Sequence, residues 1–247
     1  MKSIVAIIIC LALLGGCSTL TKSVGKNRIL TVSDIAYDVD KSRGYTVYIK
    51  ENSLDVPYLV LTKKYNGNVL LLRKSLLDEL QLFNDYSGYY PESIVDKFLN
   101  EIFFAQLDPK LRDSIAVSEI AITAESSLGI CGLDTELATR KIFLLSYTEI
   151  GREAQSTACV EGIPLKYFMD DDSRIIAYRQ NEATSWWLRT SYTWYDCSAF
   201  GVSPDGTVGG GGVYYENGVR PAFCLMPETP IYEDTINGAE IYLIRTK

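Results

Sequence analysis

The stretch from residue 186 to residue 225 most constrains what this chain can fold into. It begins with Trp-Trp-Leu-Arg at Trp186, contains four consecutive glycines at 209 to 212, and ends near a Gly-Val-Arg-Pro-Ala-Phe segment. Glycine and proline at this density disfavour a helix, and two turns, at residues 204–206 and 217–218, separate the apolar runs. We therefore predict short strands at residues 186–189, 197–202, 208–215 and 221–226.

Earlier in the chain, runs of aromatic and β-branched residues also predict strands. They cover residues 45–49, 58–62, 69–72, 120–123 and 142–145. A loop is expected at 124–139. Helical spacing of apolar residues predicts two helices, at 74–83 and at 91–105, the second with Pro91 in its first turn. The predicted class is an α+β fold with two helices and many short antiparallel strands.

The first seventeen residues are typical of an exported lipoprotein. Lys2 precedes an apolar run at residues 4–14, which is too short to span a bilayer as a stable helix. Leu14-Gly15-Gly16-Cys17 resembles the site at which a lipoprotein signal peptide is cleaved before an acylated cysteine. The alternative is an ordinary signal peptide that ends near a cysteine. We predict lipidation of Cys17, which would anchor the protein to the membrane from outside the cytoplasm, in the cell envelope.

The sequence predicts four segments. Residues 1–16 are the signal peptide, 17–28 a polar tether, 29–230 one folded domain, and 231–247 a C-terminal extension with room for one strand. Loss of residues 1–16 removes one of 24 basic residues, so 23 basic and 31 acidic side chains remain, a net charge of −8. This charge argues against nucleic acid as a partner, and it leaves the lipid anchor as the contact with the membrane.

The residue types present limit the chemistry available to the chain. It has no histidine, which excludes serine-histidine-aspartate catalysis and removes the commonest metal ligand. No catalytic residue, metal ligand or cofactor is predicted. Besides Cys10 and Cys17, four cysteines remain; they allow either two disulfides or four free thiols, and no pair has the Cys-x-x-Cys spacing. They are Cys131, Cys159, Cys197 and Cys224.

Two further motifs have a functional and a structural interpretation. The acidic run at residues 170–172 could bind calcium, but it lacks the spacing of a calcium loop, so a solvated loop is favoured. The glycine run at 209–212 could hold a phosphate. Val213 and Tyr214 follow it and favour a strand over the helix that a phosphate loop requires, so we expect a closely packed loop or bulge.

Four blocks of residues occur in an order that resembles a known family. The blocks are Tyr90, Ser93, Phe98-Leu99-Asn100 and Phe103; residues 141–146 with Glu149; Trp186-Trp187-Leu188-Arg189; and Gly218-Val219-Arg220-Pro221-Ala222. Together they resemble the DUF6273 family of bacterial domains over roughly residues 45–228, with Phe98 where the family usually has tryptophan. That family is similar to the C-type-lectin-like fold, which includes formylglycine-generating enzymes and the variable proteins of diversity-generating retroelements. The resemblance implies a C-type-lectin-like domain here.

The third and fourth blocks contain the residues that we expect to be structural. Trp186 and Trp187 point in opposite directions on a strand, so one should be in the core and the other partly exposed. Arg189 and Arg220 could bind a ligand carboxylate. We favour buried or half-buried arginines that pair with acidic side chains and hold strands together.

Aromatic residues on two loop-like stretches are the candidate ligand contacts. They are Tyr192, Trp194, Tyr195, Tyr214 and Tyr215. Tyrosine and tryptophan on loops make good contact surfaces, and the resemblance implies a ligand surface in this region. We predict binding of a protein or glycan, with Trp194 and one of Tyr192 or Tyr195 exposed near residues 209–212.

Three alternatives stay open. The aromatic rings could fill the core. The protein could be an enzyme related to formylglycine-generating enzymes, with Cys197 and Cys224 as the only candidates for its copper-dependent cysteine pair. It could also be a structural envelope protein without a discrete ligand.

Overall fold

A computed structural model describes residues 29–153, 155–236 and 239–244. The signal peptide predicted at 1–16, Cys17 and the tether at 17–28 lie outside the described residues. No helix in the described part of the chain is both long and apolar enough to cross a membrane.

The described residues form seventeen strands and several short helices. The strands are β1 (Thr46–Glu51), β2 (Leu54–Tyr65), β3 (Asn68–Arg73), β4 (Gln81–Leu82), β5 (Ile115–Ala116), β6 (Ser118–Thr123), β7 (Thr135–Arg140), β8 (Ile142–Phe143), β9 (Tyr178–Arg179), β10 (Glu182–Ala183), β11 (Trp186–Ser191), β12 (Ser198–Val202), β13 (Val208–Gly212), β14 (Glu216–Asn217), β15 (Ala222–Leu225), β16 (Ile231–Ile236) and β17 (Ala239–Ile244). The α-helical segments are α1 (Ile94–Lys97), α2 (Phe104–Gln106), α3 (Pro109–Ser114) and α4 (Lys166–Met169). A π-helical turn (Phe98–Phe103) joins α1 to α2, and 3₁₀ turns occur at Val32–Ile35, Lys41–Arg43, Glu125–Ser127 and Asp172–Ile175.

An eight-stranded, curled sheet is the largest element. Its order is β16-β17-β1-β2-β3-β15-β5, and β8 also pairs with β15. Neighbours are antiparallel except β1 and β17, which are parallel, with Val47 opposite Tyr242. The residues assigned to a C-terminal extension therefore supply two strands of this sheet.

A second, three-stranded sheet positions the candidate ligand contacts. Its order is β11-β12-β13, and the glycine run forms most of β13, with Gly210 opposite Phe200. Every residue of β11 is buried, because other segments cover both of its faces. Trp186 donates to the carbonyl of Ile175 and Trp187 to that of Gln81, both through the indole nitrogen. Both rings lie in the hydrophobic core, so the prediction that one of them is partly exposed is wrong.

The predicted α+β, C-type-lectin-like fold with two helices is also wrong. Strands dominate, and only the run from α1 through α2 is a helix of seven residues or more. That run matches the helix predicted at 91–105, and Ser93 caps it by accepting from the backbone N–H of Asp96. Residues 74–83 form no helix; instead the backbone N–H groups of Leu76 and Leu77 donate to Tyr178 and Val219. These hydrogen bonds to residues distant in sequence take the place of the hydrogen bonds within the segment that a helix requires.

Candidate functional site

Arg189 is the centre of a fully buried charged network. Its guanidinium donates to both carboxylate oxygens of Glu149, at 2.6 and 2.9 Å, and to the carbonyls of Leu144 and Ala121. Tyr65 donates to the same carboxylate at 2.7 Å. Burial alone would lower the pKa of Arg189, but Glu149 and its neighbours raise it, so the arginine stays charged.

A second carboxylate, that of Glu161, lies on the same network. It is 3.6 Å from Arg189 and accepts from the hydroxyls of Thr123 and Thr190. Burial raises the pKa of Glu161, while Arg189 and the two threonine hydroxyls act against that rise. All of these groups have partners inside the protein. Arg189, Glu149 and Glu161 are fully buried, whereas Tyr65 is 9% exposed and lines a surface groove together with Glu149. The network therefore holds β11 to its neighbours.

Arg220 is equally buried but has a different environment. Its guanidinium donates to the backbone carbonyls of Arg73 and Lys74 and lies 5.4 Å from the ring of Trp186. Within the described residues it forms no ion pair with an acidic side chain, and Nη1 has no hydrogen-bond partner. Of the two arginines expected to pair with acids, only Arg189 does so.

The candidate ligand contacts lie beside the small sheet. Trp194, Tyr195, Tyr214 and Tyr215 are each between 53% and 63% exposed, and Tyr192 is half-buried. The ring centroids of Tyr192 and Tyr195 are 6.4 Å apart, and those of Trp194 and Tyr195 are 6.5 Å apart. Tyr214 and Tyr215 form a second pair at 4.7 Å. We call these five residues the aromatic surface.

The glycine run brings the two halves of the aromatic surface together. A side chain at Gly210 would collide with the ring of Tyr192, and one at Gly212 with the ring of Tyr214. Residues two apart on a strand share a face, so both tyrosines cover the same face of β13. The predicted exposure of Trp194 and Tyr195 near residues 209–212 is confirmed, and the role of these rings in binding stays a prediction.

Two segments that sequence reasoning missed border the aromatic surface. Gly88 donates its N–H to the carbonyl of Asp196, which places exposed Tyr86 close by. Cys131 donates its N–H to the carbonyl of Thr193, which brings the exposed side chain of Ile130 to the same loop. These residues are far apart in sequence, and no motif marked them.

A groove of about 370 Å³ also borders the surface. Tyr215 and Asn217 line it together with Ser185, and three glycines of β13 leave its floor without side chains. Backbone is therefore accessible to a ligand next to an exposed ring.

Comparison with known proteins identifies the family. A model of the family described as "Domain of unknown function (DUF6273)" matches residues 66–227, which is more than half of the chain. The chain belongs to the DUF6273 family. No curated protein and no solved structure matches it.

The residues that carry the resemblance to DUF6273 lie at structural positions. In the first block, Asn100 exchanges hydrogen bonds with the backbone of Ile142 and so ties the π-helical turn to β8. In the second block, the Glu149 carboxylate accepts from the backbone N–H of Ser146, and the Ser146 hydroxyl accepts from the backbone N–H of Glu149. Glu149 in turn binds Arg189 of the third block. The aromatic surface of this DUF6273 domain lies outside these blocks.

The remaining candidate sites of the DUF6273 domain have structural roles. Asp170 accepts from Tyr37 and Lys41, and Asp171 accepts from Ser173 in a local turn. No group of three or more possible metal ligands occurs in the described ranges. The glycine run lies in β13, within the strand predicted at 208–215, and no helix follows it directly. Its pairing with β12 is continuous, so the closely packed loop or bulge expected at 209–212 is wrong.

The four cysteines that follow Cys17 are all free thiols. Cys224 is buried on β15, and burial raises its pKa to about 12. A reactive cysteine needs the opposite shift.

Proposed function

We propose that this DUF6273 protein is a cell-envelope lipoprotein whose domain binds a protein or glycan ligand through the aromatic surface. One observation carries the proposal: four large aromatic rings are more than half exposed on two adjacent turns beside β13. Contiguous exposed apolar surface of this kind marks interaction sites in soluble domains. The anchoring half of the proposal rests on the sequence around Cys17.

The chemistry around the rings suits polar ligands with apolar faces. Tyrosine and tryptophan have an apolar body and a polar tip, and they lose little entropy on binding because they have only two side-chain torsions. The exposed carboxylates of Asp196, on the first turn, and Glu216, the first residue of β14 directly after the second, can accept hydrogen bonds from sugar hydroxyls or basic side chains.

The base beneath the rings is rigid. Tyr192 packs edge-on against Phe200 of β12 with the centroids 5.2 Å apart, and β12 is itself paired on both sides. A rigid base lowers the entropy lost when a loop binds its ligand. The pairing of β12 therefore supports a preformed binding surface.

The test is a glycan and protein array probed with the purified domain, followed by calorimetry of any ligand found. The double variant Trp194→Ala/Tyr195→Ala should abolish binding while the melting temperature stays within a few degrees, since exposed rings contribute little to the core. Tyr178→Ala is the matched control, because Tyr178 is 51% exposed on β9, outside the aromatic surface. Equal ligand binding by the double variant would refute the proposal, as would a large loss of stability.

The alternative function, that of an enzyme related to formylglycine-generating enzymes, has less support. It requires a reactive cysteine pair, and the raised pKa of Cys224 opposes thiolate formation. A copper titration of the wild type and of Cys224→Ser would detect such a site if it existed.

A further inference from the structure

The outer edge of β13 is a row of backbone groups that point away from the small sheet. β13 is the last strand of that sheet, and β12 is its neighbour there. At the two ends of the β12–β13 pairing, Ser203 donates its N–H to the carbonyl of Thr207, and Val213 donates its N–H to the carbonyl of Cys197. Along an antiparallel strand, residues alternate between bonding the neighbour and pointing away from it. The residues of β13 that point outward are therefore Val208, Gly210 and Gly212.

Most of these outward groups have no partner. The carbonyl of Gly212 accepts from the N–H of Tyr215 at 3.2 Å, which closes the edge at that end. Within the described ranges, no loop or further strand bonds the outward N–H and C=O of Val208 and Gly210. Gly209 and Gly210 are exposed, so solvent reaches this part of the strand. Unpaired groups of this kind are a template for one more strand.

The edge also lacks the devices that usually block strand addition. Proteins protect such edges with charged residues, prolines, bulges or a covering segment. β13 contains only valine and glycine, and its pairing with β12 runs without a shift over all five residues. Glycines in a strand allow another backbone to approach closely, because they place no side chain in its way. The edge is therefore open to a second polypeptide.

The surroundings of the edge suit a peptide that carries basic residues. Side chains of an added strand would alternate between the two faces of the sheet. The ring of Tyr214 lies on one face, against Gly212, and the groove of about 370 Å³ is lined by Gly209 and Gly211, which belong to the other face. Residues 191–219 contain no lysine or arginine and three exposed acids, which attract basic side chains. These acids are Asp196, Asp205 and Glu216.

We propose that the outer edge of β13 binds an extended peptide segment of a partner protein, rich in basic residues, which adds a fourth strand to the small sheet. Val208 and Gly210 would bond alternate residues of that peptide, and main-chain hydrogen bonds of this kind supply the affinity in strand addition. A glycan has no backbone in which N–H and C=O groups recur at strand spacing. The inference rests on the proposed function, because it names the ligand class for the same region.

Random linear peptides displayed on phage and selected on the purified protein supply the probe. The selected peptides should be enriched in lysine and arginine. One of them is then synthesised with N-methyl groups on alternate residues, in each of the two possible frames. Because β13 can bond only one set of alternate N–H groups, one frame should lose affinity by at least about tenfold and the other should keep it. Equal losses in both frames, or a selection without binders, would overturn the inference.

Two substitutions at Val208 isolate the contribution of its outward N–H. Val208 is the first residue of β13, a position at which strands tolerate proline. Val208→Pro removes both the side chain and the N–H, whereas Val208→Ala removes the side chain and keeps the N–H. The proline variant should bind the selected peptide about fivefold more weakly than the alanine variant. Equal affinities of the two folded variants would contradict the inference; if Val208→Pro does not fold, the two N-methylated peptides decide.

The same measurements separate this inference from the proposed function. Glycan binding on the array without any peptide binding would overturn the inference alone. If Trp194→Ala/Tyr195→Ala binds the selected peptide as the wild type does, and Val208→Pro does not, the inference stands and the role of the aromatic surface is refuted. Sedimentation of the protein without peptide tests the remaining occupant. Self-association that Val208→Pro abolishes would place a second copy of the chain at the edge and would overturn the inference.

Discussion

At the residue scale, Trp186 and Trp187 show why a strand pattern underestimates burial. They point to opposite faces of β11, and both faces are covered, so both indole nitrogens donate to buried carbonyls. Alternation along a strand predicts one buried and one exposed ring only where one face meets solvent.

Trp187→Ala should therefore be strongly destabilising. It removes a fully buried ring that packs edge-on against Phe83 with centroids 5.6 Å apart, and it leaves the carbonyl of Gln81 without its donor. We expect a loss of about 3–5 kcal/mol in the free energy of unfolding, measured by urea denaturation. Trp194→Ala, at an exposed ring, is the control and should change stability by less than about 1 kcal/mol.

The two glutamates next to Arg189 should respond in opposite ways to neutralisation. Glu149→Gln removes the bidentate partner of a buried arginine, and we expect it to cost about 3–5 kcal/mol at neutral pH. Glu161→Gln removes a carboxylate whose pKa burial raises, while Arg189 keeps Glu149. This variant should be at least as stable as the wild type at neutral pH.

The pH dependence of Glu161 has a definite sign. Because its pKa is raised in the folded state, the folded protein holds that proton more tightly than the unfolded chain does. The contribution of Glu161 to stability therefore falls as pH rises from the unfolded pKa through the folded one. The advantage of Glu161→Gln over the wild type should shrink as urea denaturation is repeated at lower pH. An advantage that grows at low pH would contradict this assignment.

The residue types at the candidate site were predictable, but the partners of those residues were not. The sequence shows Arg189 and Arg220 in similar strand-like blocks. Which of them meets Glu149 depends on contacts between segments forty residues apart, and no local pattern encodes such contacts. The same reason explains why Tyr86 and Ile130 were missed beside the aromatic surface.

At the element scale, the strands rich in β-branched and aromatic residues were predictable from the sequence. The absence of a helix at residues 74–83 was not. Residues 74–83 have apolar residues at helical spacing, yet their backbone donors bond to Tyr178, Val219 and Val213. A ten-residue segment gains little from helix formation alone, so long-range strand contacts decide its conformation. For a similar reason β7 forms in the predicted loop at 124–139, where it pairs with β6.

The glycines of β13 should differ in their tolerance of alanine. A methyl group at Gly210 meets the near end of the Tyr192 ring, which Phe200 holds in place, so Gly210→Ala should cost about 1–3 kcal/mol. Gly211→Ala meets nothing within 4 Å and should be neutral or stabilising by less than about 1 kcal/mol. Gly212→Ala meets only the far end of exposed Tyr214, so it should be intermediate. Melting curves of the three variants would check this order.

At the scale of the whole molecule, attachment to the membrane is the prediction with the clearest test. Cys17→Ala should abolish both incorporation of a palmitate analogue and recovery of the protein in the membrane fraction, because acyl chains supply the anchor. The domain itself should fold as before, with an unchanged melting temperature. Equal labelling of the variant and the wild type would remove the lipoprotein assignment.

The parallel pairing of β1 with β17 has a consequence for how the protein is made. Val47 of β1 lies opposite Tyr242 of β17. The partner of β1 is therefore synthesised almost two hundred residues after β1 itself. Contacts between such distant residues slow folding, because the intervening chain must lose its freedom before the contact forms. Until residues 239–244 emerge, one edge of β1 stays open to other chains. Once β17 has paired with β1, that edge can no longer template pairing with another chain, so the last strand of the domain also protects it against aggregation.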